Sequence, residues 1–399
     1  MLHIGIDATS WTNNRGFGRF TRELVKALVR QNLDSRYTLL FDQKPPEELP
    51  SGVEVITAST TSTLTESAVG TSSRSLGYLW NIGQLARKTR FDVFFFPSVY
   101  SYFPILARVP CVVCYHDTTA ERFPKLVFPT RLNQWLWQAK TTLARFQTTR
   151  AMTVSQASSR DLQEILHIPS QRIDVVTEGA DQVFRVIDDR TIADRARMRQ
   201  GIPDNAELLV YVGGINPHKN LLGLLKAMPR VLSEYPSVHL AIVGDTSGKG
   251  FWDNVADVKA CVANDPALAR QVHFTGYMPD SELAELLNGA AALVFPSLWE
   301  GFGLPAVEAM SCGLPVLASR CSSLPEVIGD AGLFFDPLNP MDIASCLLQF
   351  LRDPALRMRL RKLALDRVPL FTWDRAAKLA DNSFRRCYAD AGSRRGAKP

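Results

Sequence analysis

This sequence of 399 residues lacks the features that mark membrane, secreted and disulfide-bonded proteins. No uninterrupted apolar stretch is long enough to cross a bilayer, and no charged-then-apolar leader opens the chain. The seven cysteines are an odd number scattered through apolar segments, which fits a reducing compartment. These absences argue against secretion and against a membrane span, and they predict a cytoplasmic protein.

Residue spacings typical of metal sites and redox sites are also missing. The six histidines form no pair spaced four apart, and the cysteines form no metal-ligand pairs. The segment Cys111-Val-Val-Cys114 has a redox-like spacing, but it lies in a strand-like run, where positions three apart face opposite sides. We therefore predict no metal site and no cofactor.

Strand-like and helix-like segments alternate along the whole chain, of which 46% is hydrophobic. Predicted strands occupy residues 4–6, 37–41, 93–96, 111–115, 152–154, 173–176, 208–212, 240–243, 272–274, 291–295, 316–318 and 333–335. Predicted helices between them include 18–31, 76–88, 221–234 and 281–288. Such alternation predicts an α/β fold with parallel sheets covered by helices.

The two parts of the chain begin alike, each with a strand, a glycine-containing loop and an amphipathic helix. Together with the length, this predicts two Rossmann-like domains facing each other across a central ligand-binding cleft. We place the change of domain in the polar stretch 181–204, which gives domains 1–183 and 184–372. Residues 373–399 are predicted as a helix and tail that pack back toward the first domain.

The segment WEGFGLPAVEAMSCG, residues 299–313, follows the predicted strand 291–295. Glycines at positions 301 and 303 permit a tight turn, and Pro305 suits the first position of a helix. A helix beginning near Leu304 would present free N–H groups at the carboxyl end of a strand, which makes an anion site.

Two glutamates flank this turn, with Glu300 in the loop and Glu308 about one turn into the helix. Because carboxylates are unsuited to binding phosphate, we interpret both as acceptors for sugar or ribose hydroxyls. The alternative is an ordinary helix start with acids that the helix dipole favours.

Taken together, these segments resemble the retaining GT-B glycosyltransferases of family 4, which move a sugar from a nucleotide-sugar to an acceptor. The resemblance is carried by FPSLWEGFGLPAVEAMSCGLPVLAS, in which Glu300 and Glu308 are spaced E-x7-E, downstream of YVGGINPHKN and HFTGYMPDSELAELLNGA. It covers nearly the whole chain and is strongest over residues 210–337. The first domain would then bind the acceptor and the second the nucleotide-sugar.

The resemblance also assigns roles within the donor site. Glu300 would hold hydroxyls of the donor sugar and Glu308 the ribose. The diphosphate would meet backbone N–H groups around Phe302, Gly303 and Leu304.

Three further positions gain a role from the same resemblance. Lys219 lies in a polar loop between a strand and a helix, where its ammonium would neutralise the diphosphate; a surface lysine is the alternative. Gly16, in the loop RGFGRF, would approach the donor across the cleft, and a plain turn is the alternative. His116 would position and polarise the reacting region, so we group it with Glu300 as a catalytic residue; the alternative is a structural histidine.

Gly214 is also predicted as a donor-binding residue, although the sequence departs from the family pattern there, because an arginine usually follows the strand. His218 and Arg15 are the candidates to supply the second phosphate cation. No Asp-x-Asp occurs in the chain, so the resemblance implies transfer without a metal ion.

A basic aromatic segment, residues 122–150, contains six lysines and arginines and no acidic residue. This mixture suits a helix on an anionic membrane surface, and the alternative is an ordinary amphipathic helix with a solvated basic face. No nucleic-acid-binding motif accompanies it, so we predict no nucleic-acid partner.

We therefore predict a retaining hexosyltransferase that uses a nucleotide-sugar of the GDP-mannose or UDP-glucose type. Its acceptor would be a glycan or a lipid-linked oligosaccharide of a surface polysaccharide. Two alternatives are a non-catalytic nucleotide-sugar-binding subunit of a polysaccharide assembly complex and an NAD-dependent oxidoreductase. The Ser/Thr-rich segment 58–75 is interpreted either as a lid or acceptor-contacting loop or as an insertion.

Overall fold

A computed structural model of the chain describes residues 1–13, 16–58, 76–105, 107–248 and 253–396. It divides into a first unit, residues 1–178 with 372–399, and a second unit, residues 179–371. The first unit thus ends shortly before the predicted boundary at residue 183 and includes the C-terminal helix. Arg15 and nearly all of segment 58–75 lie outside the described residues.

The first unit is built on parallel strands β1 (Leu2–Asp7), β2 (Ser35–Phe41), β3 (Glu54–Thr57), β4 (Val93–Phe96), β5 (Cys111–Cys114), β6 (Thr148–Thr153) and β7 (Ile173–Val175). Its helices are α1 (Gly16–Gln31), α2 (Leu76–Lys88), α3 (Thr119–Arg122), α4 (Pro124–Val127), α5 (Arg131–Gln147), α6 (Gln156–Glu164) and the C-terminal α16 (Trp373–Gly396). The strand order is β3-β2-β1-β4-β5-β6-β7.

The second unit is built on parallel strands β8 (Glu207–Val212), β9 (Val238–Val243), β10 (Val272–Gly276), β11 (Ala292–Phe295), β12 (Val316–Ser319) and β13 (Gly332–Phe335). Its helices are α7 (Arg190–Arg199), α8 (Leu221–Glu234), α9 (Val255–Ala263), α10 (Pro266–Gln271), α11 (Asp280–Asn288), α12 (Leu304–Ser311), α13 (Leu324–Ile328), α14 (Pro340–Arg352) and α15 (Pro354–Arg367). The strand order is β10-β9-β8-β11-β12-β13. The prediction of two Rossmann-like α/β domains is confirmed.

Several central strands are almost wholly apolar because helices cover both faces of each sheet. All four residues are buried in β4 (VFFF), β5 (CVVC), β11 (ALVF) and β12 (VLAS). Helix α1 buries Phe20, Leu24 and Leu28, which recur every four residues and form its core-facing stripe. None of the described helices is both long and apolar enough to span a bilayer.

In each sheet, the strand order reverses at one point, so that successive strands are added on the other side of the first strand. In the first unit it lies between β1 and β4, and in the second between β8 and β11. Loops leaving the carboxyl ends of two such strands diverge and leave a crevice, where open α/β sheets bind ligands.

The C-terminal helix α16 completes the first unit. Phe384 of this helix is fully buried with its ring 5.1 Å from that of Phe95. Arg150 of β6, only 3% exposed, donates to Asp174 of β7 at 2.6 Å and to Asp390 of α16 at 2.7 Å. Ser383 of α16 donates to the same Asp174 at 2.8 Å, so this buried network holds the helix against two strands.

Candidate active site

In the second unit, the loops after β8 and β11 meet at the reversal point of the sheet. Lys219, at the end of the first loop, donates from Nζ to Oε1 of Glu300 in the second at 2.6 Å. The two side chains are only 19% and 11% exposed, so water screens this ion pair weakly. The backbone N–H of Leu298 donates to the carbonyl of His218 at 2.7 Å and joins the same two loops.

Local sequence explains why Lys219 points into this crevice. Residues Pro217–Lys219 form a single 3₁₀ turn, and Asn220 follows in the left-handed conformation at φ 56°. Asn220 tolerates this conformation better than most residues, and its amide donates to the carbonyls of Pro296 and Pro337 at 3.1 and 2.8 Å. One side chain thereby fixes the loops that follow β8, β11 and β13.

Two serines after β12 hold the backbone around Glu300. The Glu300 N–H donates to Oγ of Ser322 at 2.9 Å. The Ser323 hydroxyl contacts the carbonyls of Glu300 and Phe302 at 3.1 and 2.8 Å. Neither serine was predicted as a site residue, although their position after the strand beside β11 is a usable signal.

Helix α12 begins immediately after this loop, at Leu304 as predicted from the sequence. Gly303 caps it at φ 97°, and a Cβ there would lie 2.7 Å from Leu324 Cδ2, so only glycine fits without movement. The ring of Phe302 is buried against Phe371, with centroids 5.6 Å apart. Since the first N–H groups of a helix have no partner within it, the start of α12 is available to an anion.

Glu308 lies within α12 and is 2% exposed. The Cys312 thiol lies close to it, and burial followed by the Glu308 charge raises the pKa of that thiol to about 12. Cys312 therefore stays neutral at physiological pH. The ribose contact of Glu308 stays a prediction.

Gly214 occupies the position at which the family pattern has an arginine. Its carbonyl accepts a hydrogen bond from the Tyr211 hydroxyl at 2.6 Å. Burial, and then the nearby Glu300 charge, raise the pKa of Tyr211 well above its ordinary value, so this hydroxyl remains a donor. A Cβ on Gly214 would lie 2.6 Å from Oδ1 of Asn216, so a larger residue here would require the Asn216 side chain to move.

In the first unit, His116 follows β5 at the carboxyl edge of the sheet. Its Nε2 lies 2.9 Å from the Pro97 carbonyl and its Nδ1 lies 3.4 Å from Oε1 of Glu178. The His116 and Glu178 side chains are 12% and 8% exposed. Phe20 of α1 packs edge-on against the imidazole, with centroids 4.7 Å apart.

Both ring nitrogens of His116 therefore face oxygen acceptors, an arrangement that suits the doubly protonated ring. Burial lowers the pKa of His116, but the Cys114 sulfur and then the Glu178 carboxylate outweigh it, and the pKa lies well above the ordinary 6.5. A histidine held as a cation cannot accept a proton. This geometry fits a positioning and polarising group rather than a general base.

Gly16 is the first residue of α1 and is exposed. A Cβ there would meet no atom within 4 Å, whereas a Cβ on Gly18 would lie 2.0 Å from the Asn13 carbonyl oxygen. A side chain at position 18 would therefore clash with the backbone, whereas the space beside Gly16 is open.

The structure thus brings Lys219, Glu300 and the start of α12 together in the second unit. His116 and Gly16 belong to the first unit. Glu178 and the loop-holding serines were not predicted as site residues. Within the described residues, no three His, Cys, Asp or Glu side chains group as metal ligands would.

Two sequence models match the two parts of the chain. The sequence model described as Glycosyltransferase Family 4 matches residues 14–183, and that described as Glycosyl transferases group 1 matches residues 193–367. The O-antigen chain mannosyltransferase B of Escherichia coli is 36% identical over 176 residues, which is 44% of this chain and 45% of that protein. The chain therefore spans less than half of this relative's length.

Solved structures show the same fold. Sucrose-phosphate synthase from Thermosynechococcus elongatus superposes with a TM-score of 0.77 at 19% identity, over 98% of this chain and 100% of that one. Anabaena HepE in complex with UDP-glucose superposes with a TM-score of 0.71 at 18% identity, over 96% of this chain and 99% of that one.

Proposed function

Since the chain belongs to the glycosyl transferases of group 1 and family 4, we propose that it transfers a hexose from a nucleotide-sugar to a glycan or lipid-linked oligosaccharide. The product is part of a surface polysaccharide, and the enzyme works in the cytoplasm at the inner face of the membrane. The observation that carries this proposal is the Lys219–Glu300 pair at the reversal point of the second sheet.

Each part of the donor meets a complementary group in this proposal. The Lys219 ammonium and the N–H groups at the start of α12 receive the diphosphate and stabilise the charge that develops as it leaves. Glu300 accepts hydroxyls of the sugar, and Glu308 accepts those of the ribose. His116, held as a cation by Glu178, supplies a fixed positive charge rather than a base.

Transfer proceeds with retention of the anomeric configuration and without a metal ion. The family supports retention, and positive charge from Lys219 and the helix start takes the place of a divalent cation. The leaving diphosphate helps to deprotonate the acceptor on the same face, so no side-chain nucleophile is needed.

The donor is a GDP-mannose or UDP-glucose type of nucleotide-sugar. The segment YVGGINPHKN is mannosyltransferase-like, and the Escherichia coli relative is named as a mannosyltransferase. UDP-glucose is the competing donor, because the Anabaena protein was solved with it.

A metal-free thermal-shift panel of UDP, GDP, ADP, their sugar conjugates and NAD tests this proposal. A ligand at about one hundred times its dissociation constant adds roughly 2.7 kcal/mol to the unit that binds it. We expect one nucleoside diphosphate and its sugar conjugate to stabilise the protein with EDTA present. Lys219→Ala should cut the response to about half or less, whereas the exposed Lys226→Ala on α8 should keep it. A response to NAD alone would overturn the proposal.

A further inference from the structure

The outward face of α5 is apolar, whereas a helix that packs on a sheet usually turns its apolar face toward the core. Its exposed large side chains are Leu132, Trp135, Leu136, Leu143 and Phe146, here called the outer stripe, at 64%, 63%, 52%, 48% and 77% exposure. Their spacing of 3, 4, 11 and 14 residues from the first places them on one side of the helix. The buried residues of α5 are small, Thr141 and Ala144, and Trp137 is half-buried against the core.

Most basic residues of segment 122–150 form ion pairs or hydrogen bonds within the protein. Arg150 is buried with Asp174, and Arg122 pairs with Asp161 at 2.5 Å. Lys140 donates to the Tyr100 carbonyl at 2.5 Å, and Arg145 donates to the Leu166 carbonyl at 2.9 Å. Lys125 and Arg131 are exposed beside the amino end of the outer stripe.

We propose that the outer stripe inserts into the interfacial layer of an anionic membrane, with Lys125 and Arg131 on its headgroups. From Leu132 to Phe146 the stripe runs about 21 Å at the rise of an α-helix, which suits a helix lying in the interface plane. The indole of Trp135 has an apolar body and a polar N–H, the combination favoured at that depth.

Charge complementarity selects a membrane over a protein partner. No carboxylate occurs from residue 122 to residue 150, so nothing on this segment repels anionic headgroups. Residues 1–185 contain 21 Lys and Arg against 16 Asp and Glu, a difference of 5 that equals the net charge of the whole chain. Apolar burial rather than charge supplies most of the binding, since only two cations are exposed beside five large apolar side chains.

Docking extends the proposed function, because a lipid-linked acceptor would lie in the same membrane, yet it can be measured without donor or acceptor. The full-length protein is floated with vesicles of phosphatidylglycerol and phosphatidylcholine at physiological salt. The triple variant Trp135→Ser, Leu136→Ser, Phe146→Ser should lower the partition coefficient by at least roughly 100-fold. The pair Lys125→Gln, Arg131→Gln should cost roughly fivefold per charge, and only on anionic vesicles.

A matched control comes from equally exposed apolar residues of the second unit. Leu338, Met341 and Met358 are 77%, 56% and 70% exposed, and their triple replacement by serine should leave partitioning unchanged. Equal losses in the two triple variants, or no vesicle binding by the parent, would overturn the proposal. Concentration-dependent dimerisation that the outer-stripe variant removes, without vesicle binding, would assign the surface to a second copy of the chain instead.

Trp135→Phe separates insertion from loss of folding. This variant should partition as the parent does but lose part of the fluorescence quenching by brominated lipids. Quenching that is the same with and without Trp135 would show that the stripe does not enter the bilayer.

Discussion

The Lys219–Glu300 pair makes a prediction about donor binding that separates charge from sugar recognition. Lys219→Met keeps most of the apolar stem and removes the ammonium that donates at 2.6 Å. A hydrogen bond to a charged group contributes about 1.5–3 kcal/mol, so the affinity for the nucleoside diphosphate should fall about 10- to 150-fold. Isothermal titration calorimetry with GDP and UDP, with EDTA present, measures this loss directly.

Removing the lysine also leaves Glu300, 11% exposed, without its ion partner. Its uncompensated charge should repel the diphosphate and enlarge the loss. The double variant Lys219→Met, Glu300→Gln lacks that repulsion, so its affinity for the nucleoside diphosphate should lie between those of the parent and Lys219→Met.

Glu300→Gln alone gives the opposite pattern. It releases Lys219 from its partner, so affinity for the free nucleoside diphosphate should be maintained or increased. The extra affinity contributed by the sugar should fall, because a neutral amide accepts sugar hydroxyls less strongly than a carboxylate. If Lys219→Met binds the nucleoside diphosphate as tightly as the parent does, the diphosphate assignment of Lys219 is wrong.

Three further changes test the supporting structure. The folded-state pKa of His116 is raised, so the stability that its protonation contributes is complete below about pH 6.5 and is lost as the pH rises through the folded-state pKa. Glu178→Gln should flatten this decline, which denaturant titrations between pH 6 and 9 measure. Gly303→Ala should cost about 1–2 kcal/mol by calorimetry and weaken nucleoside diphosphate binding, because it strains a backbone at φ 97°. Arg150→Ala should destabilise the first unit by about 3 kcal/mol in urea titrations, since it removes one partner of a buried ion pair.

Two matched variants serve as controls for the changes at Gly303 and Arg150. Gly201→Ala strains a backbone at φ 67° with open space around the added Cβ, so it should cost stability and leave nucleotide binding intact. Arg36→Ala breaks a half-exposed pair with Glu54 and should cost less than about 1 kcal/mol. Equal losses at Arg36 and Arg150, or an unchanged pH profile in Glu178→Gln, would contradict the corresponding prediction.

The sequence predicted the fold well where burial is two-sided. Runs such as VFFF and ALVF fit strands covered on both faces, and their short length argues against buried helices. Strand β3 (EVIT) was not predicted, since it lies at the sheet edge and exposes most of its short length. Its side chains carry no periodicity that separates a strand from a loop.

The site was predictable where its residues lie within one loop, and not where distant segments meet. The segment around Glu300 contains its own turn and helix-start signals, so the beginning of α12 at Leu304 followed from composition. The partners Glu178 of His116 and Ser323 of the Glu300 loop depend on strand order, which sets the neighbours of each loop.

Segment 122–150 shows a different limit. Composition identified a basic aromatic helix, but it could not tell which side would pack on the sheet. Four of the six basic residues found partners on neighbouring elements, and the five side chains of the outer stripe of α5 were left outside.

The place of α16 in the first unit has a consequence for how the protein is made. Residues 179–371 form an uninterrupted stretch of chain, whereas the first unit is closed only by residues after 371. During synthesis on the ribosome, the second unit can therefore fold before α16 exists. Strands β4–β7 then still lack the helix that packs on Phe95 and pairs with Arg150. The first unit is therefore completed after the second, and the surface that α16 covers stays exposed until this helix emerges.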